Sequence, residues 1–287
     1  MKLKIKHQTL YVYDQPVKNS IQNLRLFPKN TRDQNIIEWN IDTIGKMSKY
    51  IDVFGNINHL LAINDSHDKV LITAEGYVET GKSLPRKSQE TISSDIYLKN
   101  TLLTKPSLGI QKFIRKLKLN PSGIEAIKDL GAAILTEVKY QQGSTESQTS
   151  AEEAFKIKKG VCQDHSHIMI ACCHELGLPA RYISGYLYTD SHNETQTHAW
   201  IEVFLNNHWI SYDISNQCVT DERYVSLAIG LDYKTASPIV GIRHGGGNAG
   251  MASEVSVSSR SKQQKIDLIK LEKTALFVSL SLSMQEQ

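Results

Sequence analysis

Over the first 80 or so residues, apolar and polar positions alternate with a period of two. Leu3 and Ile5 open the series, Thr9, Tyr11 and Tyr13 follow, and then come the runs NLRLF, NIIEWNI, YIDVFGNINHLLAI and KVLITAEGYVET. Successive side chains of a strand point to opposite faces, so this pattern predicts an antiparallel β domain with turns at Pro16, Pro28-Lys-Asn, Phe54-Gly-Asn and Asp65-Ser. From 81 to 105 the chain is rich in Ser, Thr, Lys and Pro and reads as a connection. The period then lengthens to that of a helix. Ser107 can cap a helix carrying Ile110, Phe113, Ile114 and Leu117, and Ser122 can cap a second carrying Ile124, Ile127, Leu130, Ala133, Ile134 and Val138. A polar loop over 141–153 leads into a short helix ending at Lys159-Gly160. A strongly apolar helix over 163–176 follows, then the strand RYISGYLY, the polar loop TDSHNETQ and a hairpin of THAWIEVFL with WISYDIS. Beyond Asn216 the pattern is β again, in DERYVSLAIGLDY, SPIVGIRHGGG and EVSVSS; these strands either return to the N-terminal sheet or extend the core sheet. The predicted division is therefore 1–80 β-rich, 81–105 connecting, 106–220 core and 221–260 returning β, with 261–287 fitting helix or strand equally.

Composition narrows the class. A chain of 287 residues with 40% apolar and 22% charged positions is globular and long enough for two domains or one enlarged core. A formal charge of +3 is too small and too scattered to point to nucleic acid or an anionic membrane as a partner. Four cysteines, Cys162, Cys172, Cys173 and Cys218, do not make a disulfide framework at this length. The opening MKLKIKHQTLYVY has no apolar h-region, so it reads as a first strand, and a bacterial-type cytoplasm is the expected compartment. TALFVSLSLS, near the end, is too short and Ser-rich to span a bilayer, so no membrane span is expected. The pattern carries no signal for oligomeric state.

Cys162 follows Gly160-Val161 and opens a helix apolar on nearly every side, which predicts a buried central helix closed by Gly177 and Pro179. Unsatisfied N–H groups and the helix dipole favour an anion at that end, which makes Cys162 a candidate nucleophile. Packing alone would also account for a cysteine there, and it is the preferred reading for Cys172 and Cys173 in mid-helix. A thiolate needs a base, and the hairpin supplies a test by register. Asn206-Asn207 suits a two-residue turn because Asn tolerates positive φ; it would pair Leu205 with His208 and put Ser215 opposite His198. Asp213 then shares the His198 face, diagonal to it at about 7–8 Å between Cα atoms. That face also carries Trp200, Glu202, Phe204, Trp209 and Ser211, whereas the other carries Ala199, Ile201, Val203, Leu205, Ile210, Tyr212 and Ile214. Trp200, Phe204 and Trp209 are large enough to pack on the Cys162 helix and so bring the thiol to the imidazole. A solvent-facing strand would alternate in the same way.

Weaker motifs take plainer readings. His165 and His167 with His198 could suggest zinc, but residues two apart on a helix point about 200° apart, and no closed ligand set accompanies them, so no metal is expected. Asp164 and His167 suit helix-start and core-contact roles. HGGGNAG (244–250) lacks a Gly-Lys-Ser/Thr ending and reads as a flexible loop that could rim a site. Tyr186 and Tyr188 are read as packing residues of their strand, and Lys158-Lys159 as a solvated helix end.

Taken together, KKGVCQDHSHIMIACCHELGLPARYISGYL and THAWIEVFLNNHWISYDISN resemble the core of the bacterial transglutaminase-like superfamily, with its Cys, His and Asp blocks in order and spaced 36 and 15 residues apart. HQTLYVYDQPVKNSIQNLRLFP with DVFGN resembles the β-rich region that precedes the core in one bacterial branch, and DERYVSLAIGLDYKTASPIVGIRHGGG the segment that follows it. The likeness covers residues 1–258. It implies an α+β protein with a papain/transglutaminase-like core, a buried Cys-bearing helix packed on an antiparallel sheet, and an N-terminal antiparallel β-sandwich-like domain. It also implies a catalytic triad of Cys162, His198 and Asp213, acting without cofactor or metal on a peptide or protein substrate through a thioacyl-enzyme. The Cys162 backbone N–H would supply one oxyanion donor. Water as acceptor gives a cysteine peptidase or amidase, an amine gives a transglutaminase, and a silent scaffold of the same fold is a third reading. Gln163 stands where animal cross-linking enzymes carry Trp, and no acidic Ca²⁺-type loop is evident, so hydrolysis is the preferred expectation.

Overall fold

The N-terminal alternation folds as β1 (Lys2–Phe27), β2 (Gln34–Asp42), β3 (Lys46–Ile51), β4 (Ile57–Ile63) and β5 (His67–Thr80), all antiparallel. The structure, a computed structural model, describes residues 1–82, 86–87, 92–121, 123–189, 197–259 and 268–285. One expectation fails at once: Pro16 does not make a turn. β1 runs through it as a single strand of 26 residues, and the register slips between Val12 and Val17 on the β5 side and between Val17 and Asn19 on the side of the later strand Ile239–Gly245. A proline lacks only the ladder donor, so a bulge accommodates it where a central strand would not. β1 thereby serves two neighbours in succession, β5 with its first half and β4 with its second, in the order β2-β5-β1-β4-β3. Val17, Leu24, Leu26, Leu61, Val70, Ile72 and Ala74 form the core beneath.

The next stretch builds a second unit, Lys82–Gly185 with His198–Ser237. After β6 (Arg86–Lys87) come α1 (Leu108–Leu117), α2 (Ile124–Glu137), β7 (Lys139–Tyr140), α3 (Ala151–Ile157), β8 (Lys159–Gly160) and α4 (Cys162–Glu175). Ser107 caps α1 as expected, its Oγ accepting from Ile110 N at 3.3 Å. Gly123 stands at the α2 cap position, and the predicted cap Ser122 lies outside the described residues. α3 ends at Ile157 rather than at Lys159-Gly160, because Lys158 turns left-handed and the next two residues pair with β7. The chain continues through β9 (Ala180–Leu187), β10 (Thr197–Leu205), β11 (His208–Asp213), β12 (Cys218–Val219), β13 (Tyr224–Gly230) and α5 (Tyr233–Ala236). These strands form a sheet in the order β12-β11-β10-β9-β13, with β6 on β11.

β14 (Ile239–Gly245) and β15 (Ala249–Ser259) then return to β1, pairing with its second and first halves, while β13 extends the core sheet, so both routes foreseen for the C-terminal strands are taken. Gly246 and Gly247 close the β14–β15 hairpin at positive φ, with Asn248 N donating to Asp14 Oδ1 at 2.9 Å, so the HGGGNAG segment is a hairpin turn. The undecided tail is helical: α6 (Leu268–Gln285) sets Leu271 and Ala275 against Leu10, Val12 and Ala252. No helix among the described residues is long and apolar enough to cross a membrane. The first unit is thus Met1–Gly81 with Tyr186–Thr197 and Pro238–Gln287.

A buried histidine makes the first unit acid-sensitive. His7 is 2% exposed, with Nδ1 at 2.9 Å from Tyr186 Oη and Nε2 at 2.9 Å from Ser253 Oγ. Burial pushes its pKa from 6.5 down to about 4. The folded value lies below the unfolded one, so stability is intact above pH 6.5 and is lost as pH falls toward 4, by about 3 kcal/mol. Thermal unfolding followed from pH 7 to 4 should show this loss, and His7→Gln should flatten the slope; an equal slope in both proteins would refute it.

Candidate active site

α4 starts where it does because Asp164 ties down its first turn. Asp164 Oδ2 accepts from Val161 N at 2.8 Å and from the Thr145 hydroxyl at 2.6 Å, and the side chain is fully buried. Burial raises its pKa, and those two donors oppose the rise. Gly160 is required beneath it, since a Cβ there would lie 2.6 Å from Asp164 Cβ. Thr145 belongs to the polar loop after β7, and Gln163 Nε2 donates to Ser147 O of the same loop at 3.2 Å, so this loop is anchored at the thiol end of the helix. Every residue from Asp164 to Cys173 is buried, as the all-round apolar pattern predicted. Cys162 itself is part-exposed at the first position of α4.

The hairpin has the predicted register. Asn206 and Asn207 take φ of 51° and 65°, Leu205 pairs with His208, and Ile201 pairs with Tyr212. The packing of its two faces is the reverse of expectation. Ala199, Ile201, Val203, Leu205, Tyr212 and Ile214 join Ile168–Cys173 of α4 in one core, so the helix covers the aliphatic face. Trp200, Phe204 and Trp209 pack on the opposite side: Trp200 against Tyr224, and Trp209 against Phe204 and Tyr97. Aliphatic side chains fit the ridges of a helix more closely than three large rings do, and on the other side Trp200 meets His198 and Trp209 meets Arg181.

Cys162, His198 and Asp213 nevertheless meet, because each lies at an element end: Cys162 opens α4, His198 is the second residue of β10 and Asp213 closes β11. His198 Nε2 lies 2.6 Å from Asp213 Oδ2, and the imidazole also hydrogen-bonds the Cys162 side chain. With Nε2 directed at the carboxylate, Nδ1 is the nitrogen left for the thiol. The His198 side chain is 12% exposed and that of Asp213 is fully buried. Burial works against a charged imidazole, but the Asp213 and Cys162 hydrogen bonds and charges outweigh it and lift His198 to about 10. Burial likewise pushes Asp213 up, yet its partners hold the carboxyl below its ordinary value. The two partners shift in the senses a stable imidazolium–carboxylate pair demands.

Two neighbours, Asn216 and Tyr224, escaped the sequence reading, and a third, Trp200, was placed there only on the His198 face. Asn216 donates its backbone N–H to Asp213 Oδ1 at 3.1 Å and its side-chain amide to Oδ2 at 2.7 Å. The Tyr224 hydroxyl donates to Oδ2 at 2.8 Å. Trp200 stacks on the His198 ring at 6.2 Å and 28°, in a space that Gly185 leaves open, since a Cβ there would lie 2.5 Å from the indole. Asn216, three residues beyond Asp213, could have been flagged as an Asx-type turn donor; Tyr224 had no local signal.

The remaining candidates settle into other roles. His165 is bonded to Ser215 Oγ at 2.9 Å and to Val138 O at 3.1 Å, and His167 Nε2 accepts from Tyr233 N at 3.0 Å. Among the described residues no group of three or more His, Cys, Asp or Glu could hold a metal ion. Cys172 and Cys173 are fully buried, and burial raises both thiols, Cys173 to about 12. Cys218 is part-exposed, with Sγ 3.3 Å from Tyr224 Oη. Most of the polar loop TDSHNETQ before His198 lies outside the described residues.

Known proteins resemble this chain in sequence and fold. An uncharacterized protein of Mycobacterium leprae is 27% identical over 264 residues, covering 86% of this chain and 94% of its own. An uncharacterized protein of Mycobacterium tuberculosis is 28% identical over 275 residues, covering 83% and 86%. The crystal structure of a candidate cysteine protease from Cytophaga hutchinsonii superposes with a TM-score of 0.74 at 23% identity, over 92% of each chain, and so shares the fold. The model of the transglutaminase-like superfamily matches residues 111–214, spanning Cys162, His198 and Asp213, and that of the bacterial transglutaminase-like N-terminal region matches residues 3–79. The chain thus carries a core of the transglutaminase-like superfamily over residues 111–214, preceded by a bacterial transglutaminase-like N-terminal region over residues 3–79.

Proposed function

We propose that this protein is a cysteine peptidase or amidase acting through a Cys162–His198–Asp213 triad. The observation that carries this reading is the placement of one imidazole between a part-exposed thiol at a helix start and a fully buried carboxylate. Cys162 Sγ attacks the carbonyl carbon of a peptide or carboxamide, and His198 holds the thiol proton as imidazolium. As the tetrahedral adduct collapses, the C–N bond breaks and that proton passes to the leaving amine, which leaves a thioester on Cys162. Water then attacks the thioester carbon, giving one proton to His198, and the acid departs as the proton returns to the thiol. Asp213 holds the imidazole in the tautomer that presents Nδ1 to sulfur. The Cys162 backbone N–H, at the open start of α4, stands ready for the oxyanion.

Support for hydrolysis over amine transfer comes from Gln163, whose amide is engaged with Ser147 O, and from the shared fold with a candidate cysteine protease. The deciding experiment is incubation with a glutaminyl peptide, with and without a primary amine. Ammonia and glutamate should form in equal amounts with or without amine. Incorporation of the amine would mark a transglutaminase instead, and absence of both would leave peptide-bond cleavage to be read from a mixed peptide library; silence there as well would refute the enzyme.

A further inference from the structure

We propose that Tyr224 is a positioning residue of this same triad, acting through Asp213 to keep the carboxylate charged and aimed at His198. The inference rests on the triad reading above and extends it by a fourth member that comes from another part of the sheet.

The geometry is specific. Asp213 Oδ2 is the oxygen that faces His198 Nε2, and the Tyr224 hydroxyl reaches that same oxygen at 2.8 Å. Tyr224 opens β13, which is separated from β11 by β10 and β9 in the sheet order, so its contact with the acid is not one between paired strands. It is 7% exposed, and its ring packs edge-on against Trp200 at 5.3 Å and tilted against His198 at 6.2 Å. The ring therefore borders the imidazole while its hydroxyl touches the carboxylate. The other groups about the carboxylate are Asn216 on both oxygens, Cys218 beside the phenol, and His165 of α4, which feels the Asp213 charge. The Arg223 guanidinium is engaged with Asp221 and does not compete for it.

A buried carboxylate keeps its charge only as far as donors replace the water it has lost. Here the donors on Oδ2 are His198, Asn216 and Tyr224, and removing the phenol hydroxyl takes away the one supplied from β13. The carboxyl then holds a proton more readily and supports the imidazolium less. The sign follows: His198 loses its charge at lower pH, so its ion pair with sulfur is supported less at any given pH.

The test uses iodoacetamide, which alkylates Cys162 without needing the natural substrate, on the full chain with Tyr224→Phe. The pH midpoint of the alkylation rate should move upward by about one unit, with the thermal midpoint little changed. Where turnover is measurable, kcat should fall about tenfold or more at an unchanged KM, the scale of one hydrogen bond to a charged group. In an Asp213→Asn background the same substitution should have almost no further effect, because its route is gone. An unmoved or downward-shifted midpoint, or an effect that persists undiminished without Asp213, would overturn the proposal. If neither hydrolysis nor transfer is found but the midpoint still moves, the functional reading fails and the Tyr224 assignment stands.

Discussion

Cys162→Ala should abolish thiol-directed labelling at neutral pH and lower the proposed acyl turnover by about four to six orders of magnitude, roughly the scale of losing a triad nucleophile. The adduct in the wild type maps to Cys162 by mass spectrometry of its peptides. Cys172 and Cys173 remain unlabelled, since both are fully buried and burial raises both thiols. Equal labelling of all the cysteines would remove Cys162 from the role. The imidazole sets the pH behaviour. His198, lifted to about 10 by its partners against the pull of burial, stays charged across neutrality. Protonation of the leaving amine is therefore available up to that pH, and kcat/KM should fall as pH rises through about 10. Asp213→Asn removes the charge that raises His198, so the same limb should move down toward neutrality while the rate drops by about 10⁴. A limb that stays in place would show that the carboxylate does not govern the imidazole.

How much of this was legible depended on whether the cause was local. The hairpin register was legible because Asn206-Asn207 can adopt positive φ without strain, and a turn of even length puts His198 and Asp213 on one face whatever the sheet does. The start of α4 was legible from Gly160, the switch to an apolar run, and Gly177 beyond its end. Tyr224 was not, because its contact with Asp213 depends on the order β12-β11-β10-β9-β13, in which the last strand skips back beside β9. No short-range pattern encodes that step. Pro16 misled because its usual punctuation meaning assumes an ordinary strand length, and β1 instead bulges and continues.

The inverted packing of the hairpin has a different cause, and it carries the second large effect. An alternating pattern tells which residues share a face but not which face a helix will cover. Glu202 lies on the polar face; in the structure its side chain is 4% exposed and that of Arg181 is 2% exposed. Arg181 Nε donates to Glu202 Oε2 at 2.7 Å and a second guanidinium nitrogen lies 2.5 Å from the same oxygen. The guanidinium also lies flat over Trp209 at 3.9 Å and near Tyr97 at 5.4 Å. A planar, weakly hydrated cation can sit against two rings and a carboxylate together, which lets the aromatic face be buried without the helix. Glu202→Ala should cost about 3–5 kcal/mol, because it takes from the buried cation the carboxylate it holds beneath those rings. Arg181→Met with Glu202→Leu should recover most of that loss, since the pair is replaced by apolar volume rather than broken. Chemical denaturation of the single and double variants measures the contrast. If Glu202→Ala unfolds at the wild-type denaturant concentration, the pair does not hold that face of the sheet, and the rings alone account for its packing.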